Sequence, residues 1–250
     1  KNNAVDAIEH FKKVTNKFPK SPFKSRALKG IAVAHYTMKD FDGAVEVFYR
    51  LITNHTDFPL DATTYEWVGQ HLFDREEWKQ STDVFTALID HIKDYPNPER
   101  IQLKLGEAYT ALDNPKKALE AYAWIQEYAP KTLSAHESTF RTAGVYEKQG
   151  KTDRAIELYE QAADAAMNDT AAQARFRLGE IFEEKKDYDT AARNYMRVAI
   201  LFFHPTLSPE SMWRAGQCFE YANNPDSAIK TYNDIVQEYP DSDQAIVAKE

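Results

Sequence analysis

The chain has 250 residues, of which 43% are hydrophobic and 28% are charged, and its formal net charge at pH 7 is −8. This acidic balance argues against nucleic-acid binding, which needs a basic surface. The apolar runs are shorter than the roughly 18–20 residues that a membrane-spanning helix requires, and the single cysteine, Cys218, excludes an internal disulfide. We therefore expect neither a nucleic-acid partner nor a membrane span within this sequence.

A repeat of about 37 residues runs through the whole sequence. In each copy a small residue, here called the anchor, is followed four positions later by a large aromatic residue. The pairs are Ala7/Phe11, Ala44/Phe48, Ser81/Phe85, Ala118/Tyr122, Ala155/Tyr159, Ala191/Tyr195 and Ala228/Tyr232. Such a period is typical of solenoids, whose units pack mainly on their neighbours. We expect the seven anchors to be buried and the aromatic residues to fill the space between neighbouring units.

Both halves of each unit have helical periodicity, because apolar residues recur at steps of three, four and seven positions. Turn-forming residues separate the halves, at Asp113-Asn114-Pro115, Gly150-Lys151, Lys186-Asp187 and Asn223-Asn224-Pro225. Proline cannot continue a helix interior, and it separates the units at Pro19, Pro59, Pro96, Pro130 and Pro240. Each unit is thus predicted to be a helical hairpin.

The predicted elements in chain order are the second helix of a hairpin at residues 4–18, six complete hairpins, and the beginning of another first helix after Ser242. Pro59 and Pro96 lie almost one helical turn farther beyond their anchors than the other prolines at these joints. We therefore predict that the two second helices before these prolines are longer than the rest.

The order of glycine, aromatic residue, small anchor, large aromatic residue and proline resembles the tetratricopeptide repeat family. The last unit shows it with Gly216, Phe219, Ala228, Tyr232 and Pro240. The resemblance implies an all-α, right-handed α-solenoid of antiparallel helical hairpins, about six complete and a partial one at each end, in a single domain over residues 1–250. Neither end has the polar character of a capping repeat, so we expect a fragment of a longer array.

Two joints resemble those of bacterial cell-envelope members of the family, namely the lipoprotein of the outer-membrane protein assembly machine and the periplasmic partner of the Tol–Pal system. These joints are Phe18-Pro19-Lys20-Ser21 and Tyr239-Pro240-Asp241-Ser242. The resemblance implies a protein of the bacterial periplasm or one associated with the outer membrane. A cytoplasmic location is the alternative.

The residues that usually perform chemistry are scattered along the chain. The seven histidines are His10, His35, His55, His71, His91, His136 and His204. No two of them have the spacing of helical metal ligands, and Cys218 fits a small buried hydrophobe. The sequence has no glycine-rich phosphate loop and no nucleophile motif. We therefore predict a non-enzymatic protein that needs no metal or cofactor.

In the tetratricopeptide repeat family the first helix of each hairpin lines a concave groove. Residues 15, 11 and 8 positions before the anchor share one helix face, and here they are rich in acids and aromatics. The resemblance implies a groove lined by Tyr36, Glu66, Phe73, Glu107, Phe140, Glu147, Phe176, Glu180, Glu183, Trp213, Gln217 and Glu220. Such a groove suits an extended peptide or partner protein that carries Lys or Arg.

Other interpretations stay open. The aromatic residues could pack between hairpins and the glutamates could be ordinary helix surface. A clamp for a C-terminal carboxylate is rejected, because Lys29 alone fits it while Val33 and Tyr36 do not continue it. The chain could instead be a structural or self-assembly module, or an accessory repeat domain of a larger enzyme or of a secretion or envelope assembly. The oligomeric state is open.

Overall fold

The computed structural model describes residues 2–202 and 204–249 of the protein, and every regular element in these ranges is an α-helix. In chain order the helices are α1 (Asn2–Lys17), α2 (Lys24–Thr37), α3 (Phe41–Asn54), α4 (Ala62–Asp74), α5 (Trp78–His91), α6 (Pro98–Ala111), α7 (Pro115–Tyr128), α8 (Leu133–Lys148), α9 (Thr152–Ala165), α10 (Asp169–Glu184), α11 (Tyr188–Phe202), α12 (Leu207–Tyr221), α13 (Pro225–Glu238) and α14 (Asp243–Val247). None of these helices is long and apolar enough to span a membrane.

Contacts divide the chain into two compact units, unit 1 (Lys1–Ala121) and unit 2 (Tyr122–Glu250). The helices that carry an anchor, α1, α3, α5, α7, α9, α11 and α13, alternate with the first helices of the hairpins. Within unit 1 each helix from α1 to α6 packs on the next, and within unit 2 the same holds from α8 to α14. The prediction of an all-α chain of consecutive helical hairpins is therefore confirmed. That residues 1–250 form a single domain stays a prediction.

Each hairpin turn has a residue in the left-handed conformation at the same position of the repeat, five before the anchor. Its φ lies between 53° and 73°, and the residues are Lys39, Glu76, Asp113, Gly150, Lys186 and Asn223. In the turn between α10 and α11, the backbone N–H of Asp187 donates to the carbonyl of Phe182 at 2.9 Å and closes the first helix. A left-handed residue other than glycine costs roughly 1–2 kcal/mol. Its recurrence therefore indicates that hairpin packing imposes the turn.

The small anchors allow close packing of the helices. Six of the seven are buried, with 2% exposure or less. The prediction is wrong for Ala7, which is half-buried because α1 is packed along one side, on α2. From α3 onward, the anchor positions predicted from the sequence are therefore buried positions.

In three hairpins the large aromatic residue after the anchor, Phe85, Tyr195 or Tyr232, rests on a glycine of the first helix of its own hairpin. A Cβ added to Gly179 would lie 2.5 Å from the ring of Tyr195, and one added to Gly69 would lie 2.5 Å from the ring of Phe85. Both glycines stand twelve positions before an anchor. Rings also reach the following unit, as predicted, because a Cβ added to Gly30 of α2 would lie 2.4 Å from the ring of Phe11 on α1 and the ring of Phe48 packs on Trp67 of α4.

The second helices before Pro59 and Pro96 are not longer than the others. Helices α3 and α5 have 14 residues each, as α7, α9 and α13 do. The additional residues lie in the joints instead. After α3, Leu60 is buried and Asp61 caps α4 by accepting the backbone N–H of Thr64 at 2.8 Å. Burial and the cap hold the joint in a non-helical conformation.

Candidate functional site

Two arginines that sequence analysis did not identify lie among the predicted carboxylates of unit 2. On α10, Arg177 donates from Nε to Glu147 of α8 at 3.1 Å and from Nη1 to Glu180 at 2.6 Å. On α12, Nη1 of Arg214 lies 3.3 Å from Glu183 of α10. Each arginine thus links its hairpin to the preceding one, through the glutamate eight positions before the preceding anchor.

Arg214 has two further acidic neighbours. Its Nε lies 3.2 Å from Glu210, one turn earlier in α12, and its Nη2 lies 3.8 Å from Glu180. We call this set the Glu–Arg network: Glu147, Arg177, Glu180, Glu183, Glu210 and Arg214. Its side chains are between 19% and 34% exposed. Four carboxylates share two guanidinium groups, so the network has an excess of two negative charges that face solvent.

Buried tyrosines of the second helices also donate hydrogen bonds to two of these carboxylates. The hydroxyl of Tyr159 donates to Glu147 at 2.9 Å, and that of Tyr195 donates to Glu183 at 2.8 Å. Burial raises the pKa of both phenols above its ordinary value, and the adjacent carboxylate raises it further. Each glutamate therefore accepts from a tyrosine and an arginine, which orients it before any ligand binds.

The three predicted aromatic residues of unit 2 pack on tyrosines of their own hairpins. Ring centroids are 5.1–5.5 Å apart in the pairs Phe140/Tyr159, Phe176/Tyr195 and Trp213/Tyr232. All three predicted residues are half-buried, and the guanidinium of Arg214 lies 5.8 Å from the ring centroid of Phe176. The rings thus combine packing within the hairpin with partial exposure beside the carboxylates.

Gln217 and Glu220, the remaining predicted residues of unit 2, lie on α12. Gln217 is half-buried and Glu220 is exposed. Burial, and secondly the charge and hydrogen bond of Glu220, raise the pKa of the Tyr232 phenol to about 12. Glu220 therefore adds an exposed carboxylate two helical turns after Trp213 on α12.

The predicted residues of unit 1 do not form a uniformly acidic surface. The carboxylate of Glu66 accepts a hydrogen bond from the hydroxyl of Tyr95. Phe73 is half-buried, and the ammonium group of Lys104 lies 4.9 Å from its ring centroid. Glu107 is half-buried on α6. The acidic character expected at this end of the chain is therefore offset by a cation on α6.

Tyr36 lies in an apolar part of unit 1. It is 49% exposed, and its ring packs edge-on against Trp67 with centroids 5.1 Å apart. The two rings border a pocket of about 370 Å³ between α2, α3 and α4. We call it the apolar pocket, and it is lined by Val33, Tyr36, Phe48, Thr63, Thr64 and Trp67.

The described residues offer no metal centre, because no three His, Cys, Asp or Glu side chains among them come together as ligands. Cys218 is fully buried, and burial raises the pKa of its thiol to about 12. A thiol in this state is a poor nucleophile at neutral pH. The groups that the Glu–Arg network and its tyrosines bring together are carboxylates, guanidinium groups and phenols.

A regular sequence signal does exist for the arginines that were missed. Lys104, Arg141, Arg177 and Arg214 all stand fourteen positions before an anchor. In each hairpin this position directly follows the first of the three positions that are predicted to line the groove. It flanks the same helix face, and from it Arg177 and Arg214 reach carboxylates of that face in unit 2.

Comparisons with known proteins identify the repeat. Models of the tetratricopeptide repeat match residues 103–170, 140–209 and 210–242, which together make up more than half of the chain. No curated protein sequence is similar enough to count as a match.

Solved structures share the fold at low sequence identity. MamA from Desulfovibrio magneticus RS-1, from residue 41 to its end, has a TM-score of 0.55 and 15% identity, over 73% of this chain and 97% of that one. BtubC (BKLC) from P. vanneervenii has a TM-score of 0.55 and 12% identity, over 94% and 88%. A tetratricopeptide repeat protein from Parabacteroides merdae ATCC 43184 has a TM-score of 0.51 and 14% identity, over 99% and 91%. The chain belongs to the tetratricopeptide repeat family, whose repeats generally mediate protein–protein interaction or scaffolding.

Proposed function

We propose that the protein is a non-enzymatic scaffold and that unit 2 binds an extended basic segment of a partner protein. The proposed surface is the face of α8, α10 and α12 that carries the Glu–Arg network, together with Phe140, Phe176, Trp213 and Glu220. The observation that carries the proposal is the charge balance of the network, in which four carboxylates share two arginines.

The network supports recognition of cations because its carboxylates are oriented before the partner binds. Tyr195 and Arg214 hold the carboxylate of Glu183 in one orientation, so little side-chain entropy is lost when a ligand binds. The excess of negative charge attracts Lys or Arg of the partner. The exposed parts of Phe176 and Trp213 offer ring faces for cation–π contact with the same side chains.

The arginines restrict which partner fits. Arg177 and Arg214 lie between successive carboxylates. The sites that remain for cations of the partner are therefore separated by the distance between successive hairpins. Acidic peptides are disfavoured by the excess charge. We therefore expect basic residues at spaced positions along an extended segment to bind better than a contiguous basic cluster.

Labelled short peptides test the proposal in direct titration. One peptide has spaced Lys and Arg residues in a Gly/Ser background, and matched peptides have Gln or Glu at the same positions. We expect the basic peptide alone to bind. Trp213→Ala is expected to weaken its binding by about 30-fold, the equivalent of about 2 kcal/mol.

Trp124→Ala is the matched control for Trp213→Ala, because Trp124 is also half-buried but lies on the second helix α7. It is expected to leave the affinity unchanged. Equal binding of the three peptides, or equal effects of the two tryptophan variants, would refute the proposed surface. Circular dichroism of each variant establishes that the helices are retained.

For the location we propose the bacterial periplasm or the outer membrane. The support is the pair of joints around Pro19 and Pro240, which resemble those of envelope members of the family. Fractionation of the native host, with the complete gene product detected by antibody, tests this. Recovery in the cytoplasmic fraction alone would contradict it.

A further inference from the structure

We propose that unit 1 carries a second binding site of different chemistry, which takes a bulky apolar side chain of a peptide next to a carboxylate of the same peptide. This site goes beyond the basic-segment site of unit 2 and rests on other residues. It consists of the apolar pocket and of a neighbouring pocket whose charge is positive.

The apolar pocket has the properties of an anchor site for a side chain. None of its six lining residues is charged, and its volume is about 370 Å³, which is within the range of small ligand sites. Two of its walls are apolar side chains that remain in water, since Val33 is 46% exposed and Tyr36 is 49% exposed. Burying them under a Leu, Ile, Met or Phe side chain would be favourable.

The walls of this pocket are held in place by contacts between aromatic rings. Trp67 lies 5.1 Å from Tyr36, 6.1 Å from Phe41 and 6.3 Å from Phe48, measured between ring centroids and with edge-on geometry in each pair. Phe41 is itself 40% exposed. A pocket built from mutually packed rings is largely formed before the ligand arrives, which reduces the entropy cost of binding.

The second pocket, here called the cationic pocket, adjoins the first because both are lined by Thr63 and Trp67. It measures about 360 Å³, and its charged lining residues are Glu66, Arg100 and Lys104. Its only acid among the described lining residues is thus outnumbered by two cations. The resulting positive charge beside an apolar pocket is complementary to a carboxylate beside an apolar side chain.

The single acid of the cationic pocket is already engaged, because Glu66 accepts a hydrogen bond from Tyr95. The ammonium group of Lys104 lies over the ring of Phe73 at 4.9 Å, which keeps it on the same face of unit 1. Arg100 stands one helical turn before Lys104 on α6. A partner carboxylate between these two cations would gain charge-assisted hydrogen bonds.

The test uses short labelled peptides with one Phe and one Glu in a Gly/Ser background, in which the spacing between the two residues is varied one position at a time. Binding to the full chain is measured by fluorescence anisotropy. We expect one spacing to bind best. At that spacing, Phe→Ala or Glu→Gln in the peptide should weaken binding, each by about tenfold, and Glu→Lys should weaken it further.

Variants of the protein locate the site. Tyr36→Ala and Lys104→Glu should each weaken binding of the best peptide by about tenfold or more. Their controls are Tyr128→Ala and Lys13→Glu, which change exposed residues elsewhere and should have no effect. The indole N–H signal of Trp67, assigned with Trp67→Phe, should shift during the titration. Glu220→Lys should leave this affinity unchanged, which separates this site from the one in unit 2.

Three outcomes would overturn the proposal. The first is that the Glu→Lys peptide binds more tightly than the Glu peptide and that Tyr36→Ala abolishes this binding, which would make the pocket a cation site. The second is an unmoved Trp67 signal at saturating peptide. The third is self-association of the chain that Tyr36→Ala abolishes, measured by sedimentation, which would assign the pocket to a second copy of the protein.

Discussion

The guanidinium group of Arg214 lies 3.3 Å from the carboxylate of Glu183, and these two residues belong to first helices of successive hairpins. The same carboxylate oxygen accepts the hydroxyl of the buried Tyr195 at 2.8 Å. One side chain of the predicted binding face therefore links the inside of its own hairpin to the next hairpin. We therefore infer that the glutamates proposed to bind the partner also stabilise unit 2.

Removing the charge of Arg214 should therefore lower stability. Arg214→Met retains the apolar stem but deprives Glu183 and Glu210 of a charged donor. We expect the free energy of unfolding to fall by about 1–2 kcal/mol, since these groups are partly exposed. Urea unfolding measures the loss. The control is Arg197→Met on α11, where the side chain is exposed and the expected change is small. Equal losses in both variants would contradict a structural role of the network.

Two glycines in equivalent helices should respond oppositely to the same change. Gly179→Ala places a Cβ 2.5 Å from the ring of Tyr195, so it should cost about 1–3 kcal/mol through overpacking. A Cβ at Gly144 would lie 3.4 Å from the Tyr159 hydroxyl, which is an ordinary contact. Gly144→Ala should therefore stabilise by up to about 1 kcal/mol through helix propensity. Thermal unfolding of the two variants shows whether the signs differ as expected.

Overpacking should also distinguish two alanines of α7. Ala118 is an anchor with no exposure, whereas Ala123 is exposed on the same helix. Ala118→Leu is expected to destabilise by about 1–3 kcal/mol, while Ala123→Leu should be nearly neutral. If Ala118→Leu unfolds at the same denaturant concentration as the unmodified protein, the close helix packing inferred from the anchors is wrong.

The phenols under the network should ionise late. Burial, and secondly the carboxylates Glu147 and Glu183, raise the pKa of Tyr159 and Tyr195 above the ordinary value near 10. Because the folded-state pKa is the higher one, the stability from these hydrogen bonds is complete below about pH 10 and is lost as pH rises through the folded-state values. An absorbance titration of the phenolate should show a late fraction, which Tyr195→Phe reduces. Ionisation of all 14 tyrosines in one step near pH 10 would contradict this.

The sequence was sufficient for the hairpins because their signals are local. The anchor at Ala191, the glycine twelve positions earlier and the turn at Lys186 each act within one unit, so their spacing is readable from a single chain. The length of α3 was not readable in this way. Pro59 marks only where a helix cannot continue, whereas the helix end depends on burial of Leu60 and on the cap at Asp61.

The site was only partly predictable for a different reason. The residues 15, 11 and 8 positions before each anchor were found, and three of the glutamates at these positions are joined by arginines in unit 2. Whether a long side chain such as Arg177 reaches the glutamate of the preceding hairpin depends on the distance between hairpins. The periodicity of the sequence gives no information on that distance. The apolar pocket was missed because Trp67 stands fourteen positions before its anchor. This is not one of the three positions that were predicted to line the groove.

Whether unit 2 binds a basic segment through its charged face is measured by titrating the basic peptide at two salt concentrations against the unmodified protein and two charge variants. Glu220→Lys reverses an exposed charge two helical turns after Trp213 on α12, and Glu160→Lys makes the same change at an exposed position of the second helix α9. Affinity should fall as salt rises, because charge attraction is screened over about 8–10 Å near physiological ionic strength. Glu220→Lys should weaken binding several-fold more than Glu160→Lys. Salt-independent binding to which both variants respond equally would contradict the claim that this face of unit 2 recognises a basic segment.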